Sequence, residues 1–233
     1  MRKKVFLSEE ANKRLKEYLS SKGFHVIPIK KTGNVYGAIA SHPDIYVCKV
    51  KQEIIIEESQ YQLIKEKLGK EDANYHIGKS VLENKYPGTI KYNAVALGSF
   101  FIHSQKYTDE KILEVVKKNE MQVINVKQGY TKCNTVIVDD NSIITSDTGI
   151  AKALRPRGID ILLIGKGQVK LPGFEYGFIG GASGKVGNEI LFNGNLKDHQ
   201  DFYAIKNFIE ARGIEVKYFE DYPLEDIGSI MEI

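Results

Sequence analysis

Four stretches of the chain repeat one alternation of apolar and polar side chains. They are Gly23-Phe-His-Val-Ile-Pro-Ile29, Glu120-Met-Gln-Val-Ile-Asn-Val126, Gly158-Ile-Asp-Ile-Leu-Leu-Ile164 and Gly213-Ile-Glu-Val-Lys-Tyr-Phe219. An apolar residue at every second position predicts a half-buried strand. Each stretch follows a segment with helical spacing. Ser8 to Lys22 places Ala11, Leu15, Tyr18 and Leu19 on one face, and Gly23 ends it. Thr108 or Asp109 caps a helix carrying Ile112, Leu113, Val115 and Val116. Ser146 and Asp147 precede Ile150, Ala153 and Leu154, and Asp198 to Arg212 aligns Phe202, Ile205, Phe208 and Ile209. A fifth helix is predicted around Ser59 to Leu68, with Tyr61, Ile64 and Leu68 on one stripe and a blurred strand after it.

Before four of these helices lie hairpin-like stretches: Tyr36 to Val47 continuing to Glu53-Ile-Ile-Ile56, Tyr92 to Ile102, Cys133 to Ile144, and Tyr176 to Ser183 running on to Phe192. Asp139-Asp-Asn-Ser142 is a strong turn signal between two apolar runs. The repeating unit is therefore strand, strand, helix, strand, and Tyr92, Cys133 and Tyr176 open successive units 41 and 43 residues apart. The N-terminal helix and strand and the strand-like end Asp226-Ile-Gly-Ser-Ile-Met-Glu-Ile233 make a fifth unit if the chain ends meet. A three-stranded unit with one helix cannot bury itself alone, and a ring of units removes the exposed edges. The expectation is an α/β fold, a five-bladed α/β-propeller of pseudo-symmetric strand-strand-helix-strand repeats, as one domain over residues 1–233. Residues 69–88 are expected as an insertion, a loop or lid, in the second unit. The competing reading is an ordinary open α/β sheet.

Composition narrows the class. With 42% apolar and 27% charged residues among 233, the chain has the make-up of a soluble globular protein rather than a disordered one. The longest apolar runs, such as Ile159 to Ile164, fall far short of the ~20 residues that cross a bilayer. The basic start Met1-Arg-Lys-Lys-Val-Phe-Leu-Ser8 lacks the apolar core of a signal peptide, and two cysteines do not make a disulfide framework. A cytoplasmic protein without a membrane partner is expected. The net charge is +3, with Lys and Arg interleaved with Glu, so nothing calls for nucleic acid. Oligomeric state is not written in the sequence.

No cofactor or metal is expected. Around His42 and Asp44, the other histidines (His25, His76, His103 and His199) offer no ligand set at sensible spacing. Gly180-Gly-Ala-Ser-Gly-Lys-Val-Gly187 fails as a phosphate loop because Ile179 and Val186 stand where Gly and Ser or Thr are required. It reads as a tight turn with close backbone approach to a central channel, whose N–H groups are placed to hold a carboxylate.

The ring of five such units, with Gly129-Tyr-Thr-Lys-Cys-Asn-Thr135, Phe178-Ile-Gly-Gly-Ala-Ser-Gly184 and Asp226-Ile-Gly-Ser229, resembles the pentein or guanidine-modifying-enzyme fold. The likeness is strongest to an uncharacterised bacterial family of that fold. It covers the chain from about Val35 onward. It implies a Cys thiolate attacking a guanidinium or amidine carbon, a His moving protons, and carboxylates gripping the cation. Cys133 after Gly129-Tyr-Thr-Lys132 is similar to the family's cysteine, and His42-Pro-Asp44 to its histidine pattern. The cysteine of the family belongs to the last module, where this sequence has Gly180-Gly-Ala-Ser183 or Asp226-Ile-Gly-Ser229. The resemblance thus makes Cys133, His42 and Asp44 the catalytic candidates and Asp226, Asn93, Asn134, Gly181 and Ser183 the substrate-binding ones.

Each residue also has a plainer reading. Cys133 beside Val136-Ile-Val138 fits a buried small hydrophobe, Cys48 fits inert core, and His42-Pro-Asp44 fits a turn. Two functions follow. The first is a thiol-dependent hydrolase or transferase, deiminase-like, acting on a cationic guanidino or amidine small molecule. The second is a non-catalytic pentein-fold binding or assembly factor.

Overall fold

The structure is a computed structural model that describes residues 3–69 and 74–233. Residues 70–73 of the expected insertion, and the first two residues of the N-terminal segment, lie outside the described residues. The strands are β1 (Lys4–Ser8), β2 (His25–Ile29), β3 (Val47–Val50), β4 (Glu53–Ile56), β5 (Asn74–Ile77), β6 (Val95–Leu97), β7 (Phe100–His103), β8 (Gln122–Asn125), β9 (Thr135–Asp139), β10 (Ser142–Thr145), β11 (Asp160–Leu163), β12 (Ser183–Val186), β13 (Glu189–Phe192), β14 (Glu215–Lys217) and β15 (Met231–Glu232). The helices are α1 (Lys13–Ser21), α2 (Pro43–Tyr46), α3 (Glu58–Leu68), α4 (Glu110–Lys118), α5 (Thr148–Leu154) and α6 (Phe202–Glu210).

The strands form five three-stranded sheets: β15-β1-β2, β3-β4-β5, β6-β7-β8, β9-β10-β11 and β12-β13-β14. In every sheet the inner strand pairs antiparallel with the middle one, and the middle strand pairs parallel with the outer one across a helix. In the first blade Val5 pairs with Glu232 and Phe6 with Met231, so the two ends of the chain meet in one sheet.

Helix signals in the sequence act as expected. Asp109 accepts from the N–H groups of Lys111 and Ile112, and Asp147 from that of Ile150, each satisfying an otherwise orphaned donor at a helix start. Each helix packs back on the preceding blade. Ile112, Val115 and Val116 of α4 join Ile54, Ile55 and Ile56 of β4 in one core, while Leu15 and Leu19 of α1 pack with Val186 and Leu191 of the fifth blade. No blade closes its own core, which is why the unit occurs as a ring.

Several local expectations change. The basic N-terminal segment forms β1, whose Val5, Phe6 and Leu7 are fully buried. A middle strand covered on both faces is apolar without alternation, so the alternation rule passes over it. Residues 36–46 form a short 3-10 turn, Gly37–Ile39, and then α2, rather than strand. Pro43, at the first turn of α2, has no N–H for a ladder and a φ already suited to a helix start. Residues 176–178 are irregular and 179–182 a turn, and only Met231–Glu232 of the C-terminal segment is strand. The segment 69–88 contains β5, the outer strand of the second blade. No helix among the described residues is long and apolar enough to cross a membrane.

Two kinds of connection result. Inner and middle strands are joined by two-residue hairpins at 51–52, 98–99, 140–141 and 187–188. The outer strand of one blade reaches the inner strand of the next through longer connectors at 30–46, 78–94, 126–134, 164–182 and 218–230. Strand directions put all five connectors at one end of the ring and all the hairpins at the other.

Candidate active site

The connectors converge on the ring axis just before the inner strands begin. Asp44, Asn93, Cys133, Gly181 and Ser229 stand two or three residues ahead of β3, β6, β9, β12 and β15. The fold thereby brings one residue from each blade to a common point. Cys133 Sγ donates to Asp44 Oδ2 at 3.0 Å and accepts from Asn93 Nδ2 at 3.1 Å. Asn93 Oδ1 receives the N–H groups of Lys132 (2.8 Å) and Cys133 (3.2 Å), which fixes the turn bearing the thiol. Ser229 Oγ lies 2.7 Å from Asp44 Oδ2 and 2.9 Å from the Gly180 carbonyl, sharing its one proton between two acceptors. Lys132 Nζ donates to Ser229 Oγ at 3.1 Å.

Asp226 flanks this group. Its carboxylate accepts from the N–H of Phe178 (2.9 Å) and of Gly228 (3.0 Å), and His42 Nδ1 faces it at 3.6 Å. The packing is tight because glycines surround it. A β-carbon on Gly181 would lie 2.0 Å from Asp226 Oδ1, and one on Gly228 would lie 2.1 Å from His42 Cβ. Gly228 also has φ +74°, a left-handed conformation that a side chain would strain.

Burial controls the charges. Cys133 is 2% exposed, Asp226 3%, His42 4% and Asp44 fully buried. Loss of water pushes the Cys133 thiol well above its usual range, with the Asp44 and Asp226 charges adding to the effect. Burial raises Asp44 and raises Asp226 to about 6. It lowers His42 to about 4 and lowers Lys132. Near neutral pH the cluster holds a thiol and a neutral imidazole. Two polar atoms in it, His42 Nδ1 and Asp44 Oδ1, are buried without a hydrogen-bond partner. Such groups destabilise a fold that has no other use for them, so their convergence marks a site.

Above the cluster, farther back along the same connectors, lies a partly exposed aromatic layer. Tyr36 and Tyr130 share a hydroxyl–hydroxyl hydrogen bond of 2.9 Å, and Thr89 Oγ1 lies 2.7 Å from Tyr130 Oη. Phe174 packs on Tyr36, and Tyr86 and Phe178 pack on Tyr130.

The structure therefore brings together Cys133, His42, Asp44, Asp226 and Asn93. The thiol's partner is Asp44, whereas His42 addresses Asp226. Asn134 lies apart: its Nδ2 donates to the Tyr130 carbonyl within its own turn. Gly181 is a close-approach position, and its N–H is already given to the Cys133 carbonyl, so it is not a free donor for a carboxylate. Ser183 starts β12 and lines the channel beyond the cluster, its hydroxyl buried without a partner. Cys48 is fully buried in β3, its thiol raised to about 12 by burial. Among the described residues no group of three or more His, Cys, Asp and Glu side chains is arranged to hold a metal.

Lys132, Ser229, Tyr36 and Tyr130 carry no signal of their own in the sequence, although Tyr130 and Lys132 stand in Gly129-Tyr-Thr-Lys-Cys-Asn-Thr135 and Ser229 ends Asp226-Ile-Gly-Ser229. Counting back two residues from each inner strand would have selected Ser229 beside Asn93 and Cys133. The same count explains how a cysteine in a middle unit reaches the centre: in a pseudo-symmetric ring every unit offers its pre-strand residue to the same point.

The fold is shared with solved structures of low sequence identity. A mutant dimethylarginine dimethylaminohydrolase from Pseudomonas aeruginosa, complexed with citrulline, superposes with a TM-score of 0.58 at 10% identity, covering 94% of this chain and 92% of that one. An agmatine deiminase of C. jejuni gives 0.57 at 11% identity, over 99% and 93%. SxtG, an amidinotransferase from Microseira wollei, gives 0.54 at 11%, over 89% and 73%. No curated protein matches the sequence. These likenesses establish the five-bladed pentein fold. A model of a family of unknown function, DUF6873, matches residues 6–231, and the chain belongs to that family.

Proposed function

We propose that the protein is a thiol-dependent hydrolase or transferase acting on a cationic guanidino or amidine group of a small molecule, with Cys133 as nucleophile. One observation carries the reading: a thiol and two carboxylates from three different connectors meet at one buried point, with unpartnered polar atoms among them. Planar cations with several N–H donors suit such carboxylates. The hydrolase, deiminase and amidinotransferase that share the fold support the same class of chemistry.

At rest the thiol keeps its proton. A cation about 4 Å from sulfur contributes on the order of 4 kcal/mol at an effective dielectric near 20. That is about three pKa units of help to the thiolate, so the substrate itself activates the nucleophile. The proton leaves along the existing 3.0 Å contact to Asp44. Sulfur then bonds to the central carbon, the carbon–nitrogen bond breaks, and the amine departs with the proton that Asp44 took from the thiol. Attack on the S-linked amidinium by water releases a ureido or amide product, and attack by an amine completes a transfer. His42 and Asp226 are the pair in place to move the protons of that second step.

A second reading, a binding or assembly factor without catalysis, is favoured by the near-complete burial of Cys133. Labelling native protein with 2-chloroacetamidine, read by mass spectrometry with and without excess agmatine or arginine, separates the two. The catalytic reading expects selective modification of Cys133 over Cys48, slowed by the guanidino compound. Modification only after denaturation would eliminate it in favour of the binding reading.

A further inference from the structure

The hairpin end of the channel has chemistry of the opposite sign. A cavity of about 290 Å³ opens there, at the small end of the range for ligand sites. Four lysines line it: Lys49 and Lys51 from the second blade, Lys185 from the fifth, and Lys132 reaching down from the connector side. Two are held in place by main-chain oxygens. Lys49 Nζ donates to the Glu232 carbonyl at 2.8 Å and Lys185 Nζ to the Val138 carbonyl at 2.9 Å. An ammonium has three donors, so both keep N–H groups for a ligand. Lys51 forms no ion pair among the described residues.

Two carboxylates, Glu232 and Asp140, also line the cavity, and four lysines against two carboxylates leave its wall net positive. Glu232 lies 3.7 Å from Lys3, outside the cavity, and accepts the Gly187 N–H at 2.5 Å. Asp140 is exposed in the β9–β10 hairpin. Ser183 supplies an independent sign of a ligand. It is 1% exposed, lines the same cavity, and its Oγ has no partner. A buried hydroxyl without a partner in the wall of a lysine-lined cavity can rotate to donate to an oxygen bound there.

We propose that this cavity binds a small anion carrying phosphate or carboxylate groups. The site repels a guanidinium, so it is separate from the cation site above it, and it stands whether or not Cys133 is a nucleophile. Lys132 links the two ends, since the ammonium that lines the cavity also donates to Ser229 Oγ.

The test is calorimetric titration of the whole protein at low ionic strength with inorganic phosphate and, separately, with succinate. The expected result is saturable one-to-one binding of at least one of them that weakens as salt rises. Preference for phosphate identifies a phosphate-bearing ligand, and preference for succinate a carboxylate-bearing one. Lys49→Ala and Lys51→Ala, both at exposed positions, should each weaken binding about ten-fold. Ser183→Ala should weaken binding while leaving the melting temperature of the ligand-free protein equal or higher, because it removes a buried unsatisfied group. That combination is not expected of a merely structural serine. Absence of saturation with both anions up to about 10 mM, weaker than any useful site, overturns the proposal. So does binding that neither lysine substitution changes.

Discussion

At the connector end of the channel the ionisable groups are buried and held against one another, whereas at the hairpin end lysines outnumber carboxylates around an open cavity. Both ends belong to the same five inner strands, so the difference comes from what the strands are joined to. Two-residue hairpins leave no chain to fold over the axis, and the long side chain of Lys51 stays in water. Connectors of nine or more residues fold inward and exclude water from Asp44, Cys133 and Asp226. The lesson is that loop length, set blade by blade, decides whether a charge at the mouth of a ring is a solvated handle or a strained reactive group.

The largest test of this contrast is at the close-packed end. Gly228→Ala places a β-carbon 2.1 Å from His42 Cβ on a backbone with φ +74°. It should lower stability by about 3 kcal/mol in urea titrations. A tolerated alanine would mean the connectors are not tightly packed.

Next comes pH. His42 falls to about 4 from 6.5, so between those values the unfolded chain binds the extra proton and folding stability rises with pH. Asp226 rises from 3.8 to about 6, so the folded chain binds the extra proton and stability falls over nearly the same window. Each limb amounts to about 3 kcal/mol, and the two oppose one another. His42→Gln removes the rising limb, so its melting temperature should decline from pH 4 to 6 relative to that of the unaltered protein. Parallel curves for the two proteins would show that His42 titrates normally.

Asp44→Asn sharpens the contrast at smaller scale. It replaces a buried carboxylate whose Oδ1 is unpartnered. Stability at pH 7 should increase by about 1 to 2 kcal/mol, while 2-chloroacetamidine labelling of Cys133 slows, the exchange of stability for function expected of a reactive site. Faster labelling would assign the activation of sulfur elsewhere. The smallest effect belongs to the hairpin end, where Lys51→Ala should leave the urea midpoint unchanged. A clear shift there would make that lysine structural and weaken the case for a solvated anion site.

Much of this architecture is visible along the chain because it depends on local chemistry. The alternation in Gly158 to Ile164, the capping Asp109 and Asp147, and the 41- and 43-residue spacing are consequences of strand pleat, helix termini and repeat length. Pro43 shows where local reading fails. The apolar residues around it resemble strand, yet a proline without an N–H starts α2 instead. Ser229 and Lys132 show another failure, since neither is unusual for its neighbours and both matter only through partners in other blades.

The amino-acid order by itself determined the repeating unit, its number, and the presence of one thiol and several carboxylates near unit boundaries. Tertiary structure alone decided which of them meet. Asp44 and Cys133 are 89 residues apart and Asp44 and Ser229 are 185 apart, yet they lie within hydrogen-bond distance. Ring closure sets those distances, and closure is a property of five packed blades rather than of any segment. It also removes water from the cluster, and this desolvation, which no local sequence pattern encodes, determines the protonation states there.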